Sequence, residues 1–363
     1  MTKAIALLSG GLDSTLAVHV MKQQGIEIEA MTFVTLFCRC TGTGQCLEAK
    51  RVADEAGVPI KVIHASHDFL EVVKHPKHGY GKNMNPCIDC RIHMFKAAAQ
   101  YMRESGAAFL ITGEVLGQRP MSQRLEAMKT IDREADVEGY VLRPLCAQWL
   151  EPTVPEKTGL VDRNKLLAIK GRSRKDQMQL ADVFRLKDYP CPAGGCLLTD
   201  PQFGARMRDL LRHCDATLND VHLLKMGRHF RLDPKTKVVV GRNELDNKKI
   251  QSFAREGDFL LELVEMTGPL GLLRGEAGEE NLRVAASLVA RYSKAQKDLS
   301  VKVRVWPASR APVKAAVGGA GPALERKPQV DGGTDVRIIV VAPMDVARAD
   351  AMMIGGQKYQ RGR

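Results

Sequence analysis

Two stretches of this 363-residue chain combine residue types that do chemistry together. The first is Ser9-Gly10-Gly11-Leu12-Asp13-Ser14, which leaves an apolar run and enters a helical pattern. Adjacent glycines let a backbone turn sharply and bring its N–H groups against a ligand. The partial positive charge of a helix N-terminus makes such a turn a ready anion site. Ser9 and Ser14 supply hydroxyl donors, and Ser14 is also placed to cap the helix. Asp13 is awkward beside a phosphate unless a metal ion or a substrate amine offsets its charge. A plain strand-to-helix turn with a serine cap accounts for Gly10, Gly11 and Ser14, but not for the whole string.

The second stretch is Asn85-Pro86-Cys87-Ile88-Asp89-Cys90-Arg91. Two thiols at this spacing, just ahead of a helix expected over residues 91–104, can share a metal or exchange a disulfide. The helix N-terminus and Arg91 are expected to lower the thiol pKa and enrich the nucleophilic thiolate. Cys38, Cys40 and Cys46 form another group, suited to a zinc or cluster site or to a sulfur relay, although the spacing is not a strong zinc pattern. Cys146, Cys191 and Cys214 read as inert, with Cys191 close enough to Cys196 to be a spare ligand. Nine cysteines is an odd number, and no signal peptide is expected at the N-terminus, so a disulfide framework is disfavoured.

A third segment runs Thr112-Gly113-Glu114-Val115-Leu116-Gly117-Gln118, followed by Ser122-Gln123. Gly113 follows a buried strand and would permit close backbone approach to a nucleotide. Gln118, Ser122 and Gln123 offer neutral hydrogen bonds to a ribose, a base or phosphates.

The elements that must position these groups alternate over the first 150 residues. Strands are expected at 4–8, 26–34, 58–63 and 108–112, and helices at 14–24, 47–56 and 91–104. That alternation predicts an α/β fold, a doubly wound parallel sheet with helices on both faces. Ligands of such sheets sit beyond the carboxyl ends of the strands, where all three unusual segments lie. Residues 151–200 read as an extension of this first domain. From 201 the pattern changes to short strands, at 238–240 and 259–264, in a second, smaller α+β domain over 201–306. Residues 307–363 read as a flexible Ala-, Pro- and Gly-rich segment followed by a strand and helix extension. The longest apolar runs are too short to span a bilayer, so a cytoplasmic protein with no membrane partner is expected.

The string at 9–14 resembles, in full, the Ser-Gly-Gly-x-Asp-Ser signature of the PP-loop ATP pyrophosphatases, which have the adenine nucleotide alpha hydrolase-like fold. That resemblance implies ATP as substrate, cleavage between its α and β phosphates, and an adenylated intermediate with pyrophosphate released. It assigns Ser9, Gly10, Gly11, Asp13 and Ser14 to ATP, with Mg2+. Asn85-Pro86-Cys87 resembles the sulfur-handling segment of tRNA 2-thiouridine synthases, in which a second cysteine lies beyond the middle of the catalytic region. Cys196, in Gly194-Gly195-Cys196, is the counterpart here. Residues 112–118 with Ser122-Gln123 are similar to the Gly-Glu-x-Leu-Gly-Gln segment of tRNA 4-thiouridine synthases, which adds Gly113 and Gln118 to the nucleotide site. Cys87, Cys196 and Asp13 are then the catalytic candidates. Sulfur is carried either as a persulfide on Cys87 or on a [4Fe-4S] cluster held by Cys87, Cys90 and Cys196. The chain departs from these families in its start. Typical 4-thiouridine synthases carry an RNA-binding region before the loop, whereas here the loop begins at residue 9, and neither a rhodanese-like domain nor the barrel of the 2-thiouridine synthases is evident in these residues.

Net charge is +12, from 54 Lys+Arg against 42 Asp+Glu, which favours a polyanionic partner. Gly227-Arg228-His229-Phe230-Arg231 and Gly241-Arg242-Asn243 with Asp246-Asn247 resemble the RNA-binding domain of the NFACT proteins. Arg206, Arg208, Arg212, Lys235, Lys237, Lys248 and Lys249 add cations suited to phosphate contacts. The resemblances together imply an ATP-dependent tRNA sulfurtransferase that replaces a uridine carbonyl oxygen with sulfur. Its partners would be tRNA and a sulfur donor: a cysteine desulfurase, a relay protein or free sulfide. Two alternatives stay open, a PP-loop ligase or amidase-type enzyme acting on a small molecule, and a non-catalytic RNA-binding factor. Which uridine and which carbonyl is modified, and the oligomeric state, are not specified by these residues.

Overall fold

The computed structural model describes residues 2–38, 46–186, 195–295, 299–308 and 336–356. Cys40, Cys191 and nearly all of the Ala-, Pro- and Gly-rich stretch lie outside the described residues. The chain divides into two compact units, Met1–Asp200 and Pro201–Arg363.

The first unit contains strands β1 (Lys3–Leu7), β2 (Glu27–Val34), β3 (Ile60–His64), β4 (Phe109–Thr112) and β5 (Val141–Leu142). Its helices are α1 (Leu12–Lys22), α2 (Cys46–Ala56), α3 (Ser66–Lys74), α4 (Cys87–Glu104), α5 (Leu125–Glu134), α6 (Val154–Lys157) and α7 (Lys175–Val183). The strands pair in parallel in the order β3-β2-β1-β4-β5. The chain leaves β1 toward β2 and β3, then returns to place β4 on the other side of β1. The carboxyl ends of β1 and β4 therefore diverge into the crevice where doubly wound sheets hold their ligands.

Strand alternation sorts the core into two layers. Ala4 and Ala6 of β1, with Phe109 and Ile111 of β4, pack on Leu16 of α1 and Ala53 of α2. Ile5 and Leu110 point the other way, onto Phe95 of α4 and Ile131 of α5. Phe95 and Phe109 are fully buried on opposite faces, each contributing about 1.5–3 kcal/mol relative to exposure. The small Ala4 and Ala6 let α1 lie close over β1, which brings the loop between them into a tight turn.

Several boundaries differ from the sequence expectation. Helix α4 begins at Cys87 itself, with Pro86 as its N-cap, so both thiols lie in its first turn instead of ahead of it. Proline is tolerated there because that position needs no N–H donor. Asp89 accepts from the backbone N–H groups of Lys77 and His78, at 3.0 and 3.1 Å, and holds the preceding loop against this turn. The two-residue strand β5 and helices α3 and α5 carry too little pattern to stand out in the sequence.

The second unit has helices α8 (Pro201–His213), α9 (Leu218–Leu224), α10 (Glu244–Phe253), α11 (Glu279–Arg291) and α12 (Val346–Met352). Its strands are β6 (Arg228–Asp233), β7 (Thr236–Val240), β8 (Phe259–Leu263), β9 (Gly271–Arg274), β10 (Val301–Pro307) and β11 (Arg337–Val341). They form one sheet in the order β11-β10-β8-β9-β7-β6, every pair antiparallel. Val238 and Val240 face α11 on one side, whereas Val239 and Leu272 face Leu223 and Ile250 on the other. Both faces are covered, so β7 reads as a continuous apolar run and was visible in sequence, while arginine-bearing β6 and β10 were not. No helix among the described residues is long and apolar enough to cross a membrane.

A buried ion network ties β4 to its neighbours. Arg143, just beyond β5, donates from Nε to Glu114 at 3.0 Å and from both Nη atoms to Asp132 of α5 at 2.7 and 2.8 Å. Glu114 is 2% exposed and Arg143 4%, so neither charge has water to fall back on. Replacing Arg143 by Met should strip the half-buried Asp132 of its bonded partner, leave the buried Glu114 with Arg91 alone, and cost about 3–5 kcal/mol in chemical denaturation of the first unit.

Candidate active site

The turn after β1 is built from hydroxyl-to-backbone contacts. Ser14 Oγ donates to the Gly11 carbonyl at 2.8 Å, lies 3.1 Å from Ser9 Oγ, and accepts from Ser9 N at 3.3 Å. Gly11, not Ser14, is the N-cap of α1, so Ser14 sits a turn inside the helix and braces the loop from within. Gly10 holds φ +77°, the left-handed region, and a Cβ there would meet the backbone of Ala49 at 2.9 Å. Both the conformation and the contact exclude a side chain.

Gly113 follows β4 and lies flush against this loop. A Cβ on it would fall 2.4 Å from the carbonyl carbon of Asp13 and from Ser14 N. The close approach expected of this glycine is therefore made to the loop's own backbone. Three residues on, Leu116 pairs with Lys170 in a short parallel bridge, reinforced by Gly171 N donating to the Leu116 carbonyl at 2.7 Å. Gln118 Nε2 then donates to Asp13 Oδ2 at 3.0 Å, and Arg174 approaches Asp13 Oδ1 to 3.9 Å. Sequence reading missed Arg174. Its only signal was an Arg-rich turn after Gly171, which becomes meaningful once Leu116 fixes where that turn goes.

An unusual number of buried polar atoms here lack a hydrogen bond. They include Asp13 Oδ1, Gln118 Oε1, Gln123 Oε1 and Arg174 Nε. Buried polar groups are normally satisfied, so a cluster without partners marks a place shaped for something else. Donors and acceptors of both signs around a glycine turn suit a nucleotide, and Asp13 suits the cation that accompanies its phosphates.

The thiols assemble from three parts of the first unit. Cys38, four residues beyond β2, and Cys196 face each other in an isolated antiparallel bridge, with Leu197 N donating to the Phe37 carbonyl at 2.8 Å. Met84 N donates to the Leu198 carbonyl at 3.1 Å and Asn83 Nδ2 to the Thr199 carbonyl at 2.7 Å, which brings the Cys196 segment to the loop ahead of Cys87. Cys38, Cys87 and Cys196 each act electrostatically on Cys90. Cys38 thus joins the expected trio. Its partnership with Cys196 could not be read from its spacing to Cys40 and Cys46, and the side chain of Cys46 lies outside the described residues.

The expected lowering of the thiol pKa does not hold. Burial raises Cys87, against the lowering pull of Arg91 and Arg119, and pushes Cys90 up to about 12 and Cys196 to about 11. Desolvation outweighs the neighbouring guanidinium. Nor are Cys87, Cys90 and Cys196 arranged as a cluster site: among the described residues no group of three His, Cys, Asp or Glu side chains is placed to hold a metal ion.

Arg91 links the two halves of the site. Its Nε lies 3.4 Å from Glu114, the residue after Gly113. The segment from Gly113 to Gln118 therefore touches the glycine loop at both ends and reaches the helix turn bearing Cys87 between them.

Three outcomes follow. Gly113→Ala should abolish ATP binding in calorimetry, because its Cβ must displace the loop backbone. Below its pKa, the thiolate fraction of Cys196 grows about tenfold per pH unit. Its alkylation, followed by peptide mass spectrometry, should therefore climb steadily from about pH 7 to 9 without a plateau. Opposed residues in an antiparallel bridge have Cα atoms about 4.5–5.5 Å apart, inside the range a disulfide spans. Mild oxidation should accordingly link Cys38 to Cys196, recovered as a cross-linked peptide that Cys38→Ser removes.

Both units resemble known proteins. Residues 1–150 match the family model of the thiamine biosynthesis protein ThiI, and residues 227–317 match the NFACT protein RNA binding domain. The tRNA-specific 2-thiouridylase MnmA of Desulforamulus reducens is 31% identical over 156 residues, covering 39% of this chain and 42% of that protein. The enzyme of the same name from Marinobacter nauticus is 23% identical over 330 residues, covering 83% and 82%. A solved 4-thiouridine synthetase–RNA complex with bound ATP is 26% identical, covers 54% of this chain and 47% of that one, and superposes with a TM-score of 0.33. The chain spans about half the length of the first curated relatives it matches. A parallel α/β unit carrying the full Ser-Gly-Gly-x-Asp-Ser string, and matched in sequence by ThiI and MnmA, makes the first unit similar to the PP-loop tRNA thiouridine synthases, and the second unit is similar to the NFACT RNA-binding domain.

Proposed function

We propose that this protein is an ATP-dependent tRNA sulfurtransferase, which activates a uridine carbonyl by adenylation and replaces its oxygen with sulfur. One observation carries the reading. The segment 113–118 braces the glycine loop through Gly113 and Gln118 and contacts, through Glu114, the Arg91 beside Cys87. Phosphate chemistry and thiol chemistry thus share a single rigid connector.

ATP supplies the adenylyl group that turns a poor leaving oxygen into a good one. The loop amides and the hydroxyls of Ser9 and Ser14 would hold its phosphates, and Asp13 would hold the magnesium ion that offsets their charge. Gln118 and Arg174 keep the Asp13 carboxylate oriented. A persulfide on Cys87, loaded by a sulfur donor, attacks the activated carbon with its outer sulfur, and AMP leaves with the former carbonyl oxygen. Cys196, as thiolate, then attacks the Cys87 sulfur of the resulting mixed disulfide. The sulfur–sulfur bond to the base breaks, the base keeps the transferred sulfur, and a Cys87–Cys196 disulfide remains for a dithiol to reduce. Thiols kept protonated by burial do not react idly, so proton removal must accompany substrate binding.

The second unit would hold the tRNA through its phosphates. Arg208, Arg212, Lys235, Arg242 and Lys248 are exposed, although the Gly-Arg-Asn motif itself is largely structural. Asn243 Oδ1 accepts from Asp246 N at 2.8 Å and caps α10, and Asn247 Oδ1 accepts from Leu270 N at 3.0 Å.

Nucleoside mass spectrometry of tRNA from cells with and without the gene tests the reading. Loss of one thiolated uridine, restored by the wild-type gene but not by Cys87→Ala, is the expected result. Unchanged nucleosides, with pyrophosphate release from a small substrate that survives Cys87→Ala, would favour a small-molecule ligase instead.

A further inference from the structure

A cavity of about 300 Å³ in the second unit is walled by Arg231, Lys237 and Arg274, with His213 and Arg255 at its sides. The three cations come from adjacent strands in register: Lys237 of β7 pairs with Arg231 of β6 and with Arg274 of β9. Residues paired in register share a face. This is the face of Val239 and Leu272, over which α9 and α10 pack. Three like charges side by side across a sheet repel one another, so each needs a counter-charge.

Two of them are bonded directly to one. Arg231 donates to Asp209 of α8 at 2.6 and 3.2 Å. Arg274 donates to Asp220 of α9 and to Asp258, each at 2.7 Å. These carboxylates are already engaged, since Asp220 also accepts from Thr217 at 2.6 Å and Asp258 from Arg255 N at 2.9 Å. Lys237 makes no hydrogen bond or ion pair with a described residue, yet it is only 6% exposed and lines the cavity. A buried ammonium with no bonded counter-ion is costly: burial outweighs the pull of the nearby Asp209 carboxylate, which Arg231 already holds, and pushes the pKa of Lys237 down to about 7.

We infer that this cavity is a phosphate-binding site, in which a phosphate group accepts hydrogen bonds from Lys237 between the guanidinium groups of Arg231 and Arg274. The volume is that of the smaller ligand pockets and leaves room for more than the bare anion. Arg212 and Lys235, both exposed, lie one residue from His213 and two from Lys237 in sequence, so a phosphodiester chain has further cations to follow. The site is independent of the sulfur chemistry assigned to the first unit.

The test is lysine footprinting of the full-length protein near neutral pH, where a partly neutral Lys237 amine acylates readily. Inorganic phosphate is expected to protect Lys237 and leave the exposed Lys302 unprotected. Calorimetric titration with phosphate is expected to weaken about tenfold or more in Lys237→Met, which keeps the buried stem and removes only the ammonium. Short RNAs with and without a 5′-phosphate then identify the source. Protection by both points to a backbone phosphate, by the phosphorylated one alone to a chain end, and by inorganic phosphate alone to a free small anion. Equal Lys237 labelling with and without every one of these probes would overturn the inference, as would undiminished phosphate binding by a folded Lys237→Met protein.

Discussion

The first unit depends on one close approach: the backbone after β4 lies against the backbone after β1 with no room for a side chain between them. A methyl group at Gly113 would stand 2.4 Å from the Asp13 carbonyl carbon. Everything else in the site is arranged around that contact. It sets where Glu114 enters the interior, and the buried Arg143 and Asp132 then hold Glu114 in place. It also sets where Gln118 emerges to meet Asp13. A glycine loop alone is a flexible anion trap. Backed by a second strand end and an ion network, it becomes a preorganised one, which is what phosphate chemistry requires.

The thiol side of the site follows a different logic. Its cysteines come from the end of β2, the first turn of α4 and the last stretch of the unit, and burial keeps their pKa values high. Arg91 and Arg119 oppose that effect at Cys87 without overcoming it. The same desolvation principle shapes Lys237 in the second unit with the opposite sign, pressing a lysine toward neutrality. In both places low dielectric stores reactivity until a partner supplies charge or removes a proton.

How much of this was legible in the sequence depends on the range of the interaction. The loop, the four strands β1 to β4 and the helices α1, α2 and α4 follow from local pattern, because apolar runs and glycines report directly on chain direction. The residues of the glycine turn at 9–14 are contiguous, so the turn itself was readable for the same reason. The pairing of Cys38 with Cys196 was not legible, since the two are distant in the chain and the near neighbours of Cys38, Cys40 and Cys46, drew attention to a local group. Arg174 was invisible until the Leu116–Lys170 bridge placed it. The thiol pKa direction was misjudged because a nearby arginine is evident in a sequence, whereas burial is a property of the folded whole. Arg231, Lys237 and Arg274 were readable only as basic residues. Their alignment across three strands is a matter of register, and register needs the sheet.

The pairing of residues 37–38 with 196–197 also has a meaning for biogenesis. Both thiol segments that meet in it are made at opposite ends of the first unit, and Asn83 and Met84 are bonded to the same late stretch. A nascent chain emerging from the ribosome would have its glycine loop and all five strands of the first unit long before Cys196 appeared. Nucleotide binding could therefore precede sulfur competence during translation, and a product truncated shortly before residue 196 would retain the glycine loop while lacking the closing thiol.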